Sequence, residues 1–247
     1  MPQNEIFTSD EYREIYPEGI ELHFWNLARN DLVYRLLRPE LQADELAMDV
    51  GCGTGLVVAD LVDRGCNARG VEMGAAPVVP GLEQRVKTNC DLFALDEETR
   101  MQVRAVLLLD VLEHIGDRVQ FLQQIHRLLP NCHTLVITVP ARRELWSDYD
   151  EHWGHYLRYN RPLLRAELAA AGFKPGRCAY FFNWLYLVSL IMNLLRISKG
   201  TQFNSIRRRS PAAMLHRILG WITRLETMVL PGAVPGSSLA CVARRMP

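Results

Sequence analysis

The sequence predicts an α/β protein with a doubly wound, mostly parallel β-sheet. Three observations support this fold class. Apolar runs that are typical of buried strands occur at 46–48, 103–109 and 134–139. Amphipathic helical patterns alternate with these runs, which favours parallel pairing of the strands. A glycine-rich turn follows the first run, where such a sheet would bind a ligand.

Length, charge and composition fit one such domain with additional segments. A chain of 247 residues can bury a sizeable core. Its formal net charge is zero, so no overall positive field indicates a nucleic-acid partner. Residues 1–5 lack the pattern of a signal peptide, and no apolar run reaches the roughly 20 residues that cross a bilayer. We therefore expect a cytoplasmic protein.

Six cysteines are scattered along the chain without a Cys-x-x-Cys pair. They are Cys52, Cys66, Cys90, Cys132, Cys178 and Cys241. This pattern predicts free thiols in a reducing compartment, with neither a zinc site nor a disulfide framework.

The N-terminal segment, residues 1–45, is predicted to be a helical cap. Apolar residues recur at roughly helical spacing from Phe24 to Leu37, which predicts a helix that ends before Pro39. The segment has two interpretations. Its aromatic stripe packs on the sheet edge, or it presents Tyr16, His23 or Trp25 as a lid over a ligand.

The glycine-rich turn reads Asp49-Val50-Gly51-Cys52-Gly53-Thr54-Gly55. Glycines let the backbone turn sharply and approach a ligand closely, and the first N–H groups of the next helix face that ligand. A dehydrogenase would need Gly-x-Gly-x-x-Gly, but Leu56 stands in place of its third glycine. The sequence contains no Gly-x-x-x-x-Gly-Lys-Ser/Thr loop either. The turn therefore suits a ligand without a pyrophosphate at this point.

Polar residues stand at the ends of the strands that are predicted next. Glu72 ends a short second strand, where a carboxylate can accept both ribose hydroxyls of a nucleoside. Asp91 ends a weaker third strand over 86–92, and either bonds the exocyclic amine of a base or caps a turn. Asp110, Glu113 and His114 follow the run 103–109 and are expected to face the same ligand.

The alternation continues to about residue 172. A helix is predicted over 117–129 with Asp117 as its N-cap, followed by the strand at 134–139. Asn160 is predicted to cap a further helix, which ends at Gly172.

The last third departs from this pattern. Residues 181–195 are apolar nearly all round, 198–210 are polar and basic, and 212–230 are again apolar at helical spacing. These segments resemble an in-plane membrane-surface element, or else a hairpin that covers an acceptor cleft or forms a dimer interface. The predicted organisation is a helical cap (1–45), a core (46–182), a helical insertion (183–235) and a final strand (236–247).

The motifs together resemble the class I S-adenosylmethionine-dependent methyltransferase family. They are the glycine-rich turn, Glu72, Asp91-Leu92 and Asp110-Val111-Leu112-Glu113-His114-Ile115. The last of these matches the small-molecule and lipid-modifying branch, and the resemblance covers roughly residues 45–175. It implies a Rossmann-like, mostly parallel seven-stranded sheet, S-adenosylmethionine as cofactor and S-adenosylhomocysteine as product.

The resemblance also implies a role for each matching position in the glycine-rich turn. Gly51, Gly53 and Gly55, with Cys52 between them, would let the backbone pass the methionine part of the cofactor. Asp49 would order the turn and approach the amino group.

The matching strand-end positions are assigned in pairs. Glu72 would hold the ribose hydroxyls, with Met73 against the adenine. Asp91 would contact the adenine amine, with Leu92 beside it. Asp110 and Val111 would line the cleft near the methionine part.

Candidate catalytic residues lie in the segment 148–159, which is dense in titratable and aromatic groups. Methyl transfer is an in-line displacement, and an oxygen nucleophile of high pKa benefits from a general base. His155 is the first candidate and His152 the second, with His114 on the opposite wall; each could instead be a loop histidine bonded to backbone. Asp150, His152 and His155 match no standard zinc spacing, so no metal is predicted.

We therefore expect a methyltransferase for a small hydrophobic, lipid-linked or glycan-linked acceptor. It would be a monomer or homodimer, with peripheral contact through 181–210 at the inner membrane surface. The alternative is a regulatory or scaffold protein that binds S-adenosylmethionine without turnover. The histidine-rich loop argues against this alternative, because a silent pocket has no need of it.

Overall fold

The computed structural model describes residues 8–195, 197 and 203–246, and its centre is one seven-stranded sheet. The strands are β1 (Leu46–Val50), β2 (Ala68–Val71), β3 (Val86–Lys87), β4 (Val103–Leu109), β5 (Thr134–Pro140), β6 (Phe173–Phe181) and β7 (Ser238–Arg245). Their order is β3-β2-β1-β4-β5-β7-β6. β1 to β5 pair in parallel, and β7 is antiparallel to both of its neighbours. The predicted α/β class with a mostly parallel seven-stranded sheet is confirmed.

The α-helices are α1 (Ser9–Ile15), α2 (Phe24–Leu37), α3 (Leu56–Asp63), α4 (Glu97–Gln102), α5 (Arg118–Leu128), α6 (Asp148–His152), α7 (Arg161–Ala170), α8 (Asn183–Leu194) and α9 (Pro211–Val229). Two predicted caps begin helices as expected. The Asp117 carboxylate accepts the N–H of Gln120 (3.0 Å), and the Asn160 side chain accepts the N–H of Leu163 (2.9 Å). Helices also lie before the sheet and between β6 and β7. The division into cap, core and insertion stays a prediction.

The core lies on both faces of the sheet. In β4, Val106 and Leu108 pack on one face of the sheet, in the same cluster as Leu122 of α5. Ala105 and Leu107 pack on the other face, in the same cluster as residues of α2 and α3. Strands that are buried on both faces are apolar at successive positions, which explains the continuous run at 103–109. Covered faces leave the carboxyl edge of the parallel strands as the place for a site.

Two strands differ from the prediction. β3 ends at Lys87, so Asp91 lies beyond it in a short turn. β6 contains Pro175 and Gly176, which obscure a strand pattern, and its register shifts between Pro175 and Cys178. An edge strand tolerates proline because it has one unpaired side.

The prediction of free thiols is wrong for two of the six cysteines. Cys178 of β6 and Cys241 of β7 lie opposite each other in the antiparallel register and are joined in a disulfide. The other four cysteines are free. The pair is separated by 63 residues, and its proximity depends on strand register, which cysteine spacing does not reveal.

The insertion is described only in part, because residues 196 and 198–202 lie outside the described range. The predicted polar and basic segment 198–210 is therefore described only from residue 203 onward. Within the described ranges, no helix combines the length and apolar character that a membrane crossing requires.

Candidate active site

Two adjoining cavities open at the carboxyl edge of the sheet. The first has a volume of about 430 Å³ and the second about 410 Å³. The residues that line both are Gly51, Glu72, Asp110, His114, Trp153 and His155. The shared wall makes them two halves of one cleft.

The first cavity is lined by the residues that follow the parallel strands. They are Glu72, Met73, Asp91, Leu92, Asp110 and Val111. Parallel strands end at one edge, which brings these distant positions together. The Asp91 carboxylate also accepts the N–H of Phe93 (2.9 Å), so this residue caps a turn while it lines the cavity. The individual roles of these residues stay predictions.

The glycines of the turn have backbone angles that favour glycine. Gly51, Gly53 and Gly55 have φ values of 70°, 55° and 87°. A Cβ on Gly51 would lie 2.9 Å from a methyl group of Val111, and one on Gly53 would overlap the hydroxyl of Tyr16. The segment after α1 therefore covers the turn. Tyr16 was one of the residues named for a lid, and it also lines the second cavity.

Glu72 links the turn to the strand ends. Its Oε2 accepts the N–H of Gly53 (2.8 Å), and its Oε1 accepts the N–H of Gly74 (3.0 Å). Tyr12 also hydrogen-bonds this carboxylate, which leaves one of its four lone pairs for a further donor, such as a ribose hydroxyl. The carboxylate therefore orders the turn and remains able to bind a ligand.

Three predicted cofactor residues lie behind the cavity walls. Asp49, Cys52 and Gly55 line neither cavity. Burial raises the pKa of Asp49 to about 7, opposed by the Arg29 guanidinium and reinforced by the charge of Glu72. Burial likewise raises the pKa of the Cys52 thiol, and Gly55 is the N-cap residue of α3. Asp49 at the end of β1, and Cys52 and Gly55 within the turn, therefore face the protein and not the cavities.

Asp150 organises the loop that carries the predicted catalytic histidines. Its Oδ1 accepts hydrogen bonds from His155 Nδ1 and Arg158 Nε, both at 2.8 Å, and its Oδ2 accepts the N–H of Ser147 (3.0 Å). Burial opposes ionisation, but these bonds and the Arg158 charge hold the pKa of Asp150 below its usual value. The anion therefore favours the tautomer of His155 that carries its proton on Nδ1, in which Nε2 is the acceptor nitrogen.

The structure brings two of the three predicted histidines together. His155 and His114 line both cavities, and their rings lie edge to face with centroids 4.8 Å apart. Burial and the neighbouring His155 lower the pKa of His114 to about 4, so its ring is neutral near neutral pH. His152 is exposed, lies against Trp153 and lines neither cavity.

A possible metal-binding group differs from the one that the sequence suggested. Glu113, His114 and His155 each offer a ligand atom, and these atoms lie within 4.8 Å of one another. Glu113 is buried, and burial together with the nearby Asp110 carboxylate raises its pKa well above the usual value. A protonated carboxyl is a weak cation ligand. The prediction that no metal is bound stays a prediction.

Sequence reasoning missed several residues of the second cavity. Arg29 of α2 lines it and donates to the Asp110 carboxylate (3.4 Å), and Tyr149 and Arg158 line it as well. Arg29 and Asp110 are separated by 81 residues, so no local pattern connects them. Tyr149 and Arg158 do belong to the segment 148–159, which the sequence marks by its density of titratable and aromatic groups.

Known proteins share this architecture. Residues 23–175 match a family model described as a methyltransferase domain, which is more than half of the chain. The chain belongs to the methyltransferase family. The predicted resemblance to class I S-adenosylmethionine-dependent methyltransferases is therefore confirmed, together with the enzyme class and cofactor class that it implies.

Three similar proteins add detail. Ubiquinone biosynthesis O-methyltransferases of Marinobacter nauticus and Pseudomonas aeruginosa are 35% and 31% identical over 107 and 94 residues. These alignments cover 39% and 35% of this methyltransferase and 45% and 40% of the relatives, so the chain spans less than half the length of either. The solved 1,6-didemethyltoxoflavin-N1-methyltransferase of Burkholderia thailandensis, with bound 1,6-didemethyltoxoflavin and S-adenosylhomocysteine, is 18% identical over 91% of this chain and 81% of that one. Its TM-score of 0.56 supports the common fold.

Proposed function

We propose that this protein transfers a methyl group from S-adenosylmethionine to a hydroxyl oxygen of a small, hydrophobic, lipid- or quinone-type acceptor. The observation that carries the proposal is the position of His155, which lines both cavities while Asp150 holds its Nδ1. The curated relatives are named as ubiquinone biosynthesis O-methyltransferases, which supports an oxygen acceptor on an apolar molecule. We place the reaction in the cytoplasm, at the inner membrane surface.

The first cavity fits the cofactor. Gly51 lines it, and Gly53 of the same turn lines the adjoining second cavity; both have backbone angles and surroundings that leave no room for a side chain. Glu72 would hold the ribose hydroxyls, and Asp91 would bind the adenine amine. When bound, S-adenosylmethionine supplies an electrophilic methyl group on its sulfonium. Asp110 lines both cavities and would orient groups where the two meet.

His155 would act as the general base. Asp150 accepts a hydrogen bond from its Nδ1, so Nε2 would receive the proton of the acceptor hydroxyl. The buried Asp150 anion would stabilise the imidazolium that forms, while Arg158 keeps Asp150 ionised. Trp153 is buried at the shared wall and helps to exclude water.

The lining of the second cavity suits an apolar acceptor. Trp25, Leu109, Leu185 and Phe203 contribute apolar or aromatic surface, and Tyr149 adds a phenol. Pockets of this kind bind the apolar body of a ligand and orient it through a few polar groups. A volume of about 410 Å³ accommodates an aromatic ring with part of an apolar tail.

The test compares His155→Gln with His152→Gln in the full chain. With a prenylated dihydroxybenzene as acceptor, we expect His155→Gln to lower kcat by about 10²- to 10⁴-fold, the usual contribution of a general base. His152→Gln should retain activity because its side chain is exposed outside both cavities. Formation of S-adenosylhomocysteine is the readout of activity. Calorimetric titration should show that the two variants bind S-adenosylmethionine with affinities that agree within about twofold.

Two results would contradict the proposal. Equal activity of the two variants would remove His155 as the base. Cofactor binding without product from any hydroxylated acceptor would support the scaffold alternative instead.

A further inference from the structure

Helix α9 buries small or polar residues and exposes bulky apolar ones, which is the opposite of the usual arrangement in a surface helix. Its buried face carries small or polar residues, namely Ala213, Gly220 and Thr223. A Cβ on Gly220 would lie 3.2 Å from Leu27 of α2, and Thr223 accepts the indole N–H of Trp184 (2.9 Å). Small residues allow α9 to pack closely on the protein, so the bulky apolar residues of this helix point elsewhere.

The exposed face of α9 carries those bulky residues, which we call the α9 stripe. It consists of Met214, Leu215, Ile218, Trp221, Ile222, Leu225, Met228 and Val229. Their spacing of three and four residues places them on one side of the helix, over about 22 Å at a rise of 1.5 Å per residue. Met214 is 66% exposed and Trp221 61%. Single exposed apolar residues are ordinary, but a continuous stripe marks an interaction surface.

Helix α8 connects a second exposed apolar surface with the acceptor cavity. Leu187, Ile191 and Leu194 are exposed on one side of α8. Leu185 and Ser189, one turn apart on the other side, line the second cavity. An apolar molecule that leaves this surface would therefore reach the cavity along α8.

Charge identifies the occupant of the surface. Residues 203–230, which contain α9 and the segment before it, have five arginines and one acidic residue, Glu226, although the whole chain has 28 of each sign. The Glu226 carboxylate accepts the backbone N–H groups of Asn183 and Trp184, so it is turned inward. The segment that carries the stripe is therefore basic.

Exposed arginines border the stripe itself. Arg217 and Arg224 lie seven residues apart, along one edge of it. Arg207-Arg208-Arg209 directly precede the Ser210 cap of α9, and all three are exposed. Two members of this rim pair with acidic groups of the N-terminal segment, Arg208 with Glu21 (3.1 Å) and Arg224 with Asp31 (3.0 Å).

We propose that the α9 stripe and its arginine rim dock this methyltransferase on an anionic lipid bilayer. The apolar side chains enter the boundary between headgroups and acyl chains, and the arginines bind lipid phosphates. A second copy of the chain fits less well, because it would bring two arginine rims together. The inference rests on the proposed function, since it supplies the route by which an apolar acceptor leaves the bilayer and enters the second cavity. It extends the expected contact from 181–210, which contains α8, to α9.

The test measures binding of the full chain to phosphatidylcholine vesicles with and without phosphatidylglycerol. We expect co-sedimentation only with phosphatidylglycerol, weakened by salt, and a blue shift of tryptophan fluorescence that Trp221→Phe reduces. Ile218→Glu with Ile222→Glu should lower partitioning at least tenfold. Arg209→Gln with Arg217→Gln should lower it by about tenfold or more, because each basic residue near an anionic surface contributes about a fivefold effect.

A matched control separates this surface from general hydrophobicity. Met101 is 43% exposed at a site distant from α8 and α9 in the sequence, so Met101→Glu should leave vesicle binding unchanged. Equal loss with Met101→Glu, or binding without dependence on phosphatidylglycerol, would overturn the proposal. So would a stable dimer that the double glutamate variant converts to a monomer without any vesicle binding.

The same samples distinguish this failure from failure of the proposed function. Affinity for S-adenosylhomocysteine, measured without vesicles, should be unchanged in the stripe variants. Turnover of a short-chain, water-soluble dihydroxybenzene should also be unchanged, whereas turnover of a long-chain acceptor in vesicles should fall with binding. If the wild-type chain does not methylate the soluble acceptor, the proposed function is refuted, whereas the vesicle-binding result stands independently.

Discussion

The two cavities at the sheet edge are built in different ways. The first is lined by residues that directly follow the parallel strands, such as Glu72 and Asp110. The second also takes residues from α1 to α2, the loop around α6, and the insertion, as Tyr16, Tyr149 and Leu185 illustrate. The sheet fixes the first, whereas segments added around the sheet shape the second. A family can therefore keep one ligand and change the other.

Among these substitutions, Gly53→Val should lower the affinity for the cofactor the most. The new side chain would require an unfavourable left-handed backbone and would collide with Tyr16, so we expect cofactor affinity to fall at least about 100-fold. Gly65→Val is the control, since Gly65 also has a positive φ but a Cβ there would meet nothing within 4 Å. Calorimetric titration with S-adenosylhomocysteine reads affinity, and circular dichroism reads folding. Equal affinity in both variants would mean that the turn does not approach the cofactor.

A smaller effect is expected from Glu72→Gln. An amide would replace an acceptor that now receives the N–H groups of Gly53 and Gly74, so we expect cofactor affinity to fall about 10- to 100-fold. Asp91→Asn sharpens the comparison within the same cavity. Asp91 is exposed, and its loss should cost only about threefold. A larger loss at Asp91 would show that burial does not determine which strand-end carboxylate binds most strongly.

The smallest effect is expected on the free energy of unfolding, from Asp49 at the carboxyl end of β1. The folded protein raises the pKa of Asp49 from 3.8 to about 7, so it holds this proton more tightly than the unfolded chain does. Stability from this group is complete below about pH 4 and is lost as the pH rises through 7. Asp49→Asn cannot ionise. Relative to wild type, its free energy of unfolding should therefore increase by about 1–2 kcal/mol between about pH 6 and pH 8.

Thermal unfolding at the two pH values measures this difference. Asp44→Asn, at an exposed position, is the control and should show no such change between them. A pH-independent difference between Asp49→Asn and wild type would mean that Asp49 is ionised in the folded protein throughout this range.

Local sequence patterns predicted the parts of the fold that depend on local physics. β4 was visible because both faces of the sheet are covered, and Asp117 and Asn160 were visible because an N-cap bonds a residue only three positions away. β6 was missed because Pro175 and Gly176 interrupt its pattern at a sheet edge.

In the candidate site, too, the residues that follow local patterns were predictable, and those that depend on tertiary contacts were not. The glycine-rich turn and the strand-end acids could be found, because parallel strands bring successive strand ends to one edge. The contact between His155 and Asp150 could not, although both residues were in the selected segment, because it depends on how the α6 turn folds back. Arg29 could not be found either, since its partner Asp110 lies on a different structural unit.

The contact of Tyr16 with Gly53 makes two equilibria dependent on each other. The phenol fills the space that a side chain on Gly53 would take, beside the turn that the cofactor is proposed to pass. If cofactor binding displaces this phenol, the apparent affinity is the intrinsic affinity multiplied by the fraction of molecules in which the phenol has moved aside. A segment that precedes the sheet in the sequence would thereby adjust occupancy of the turn.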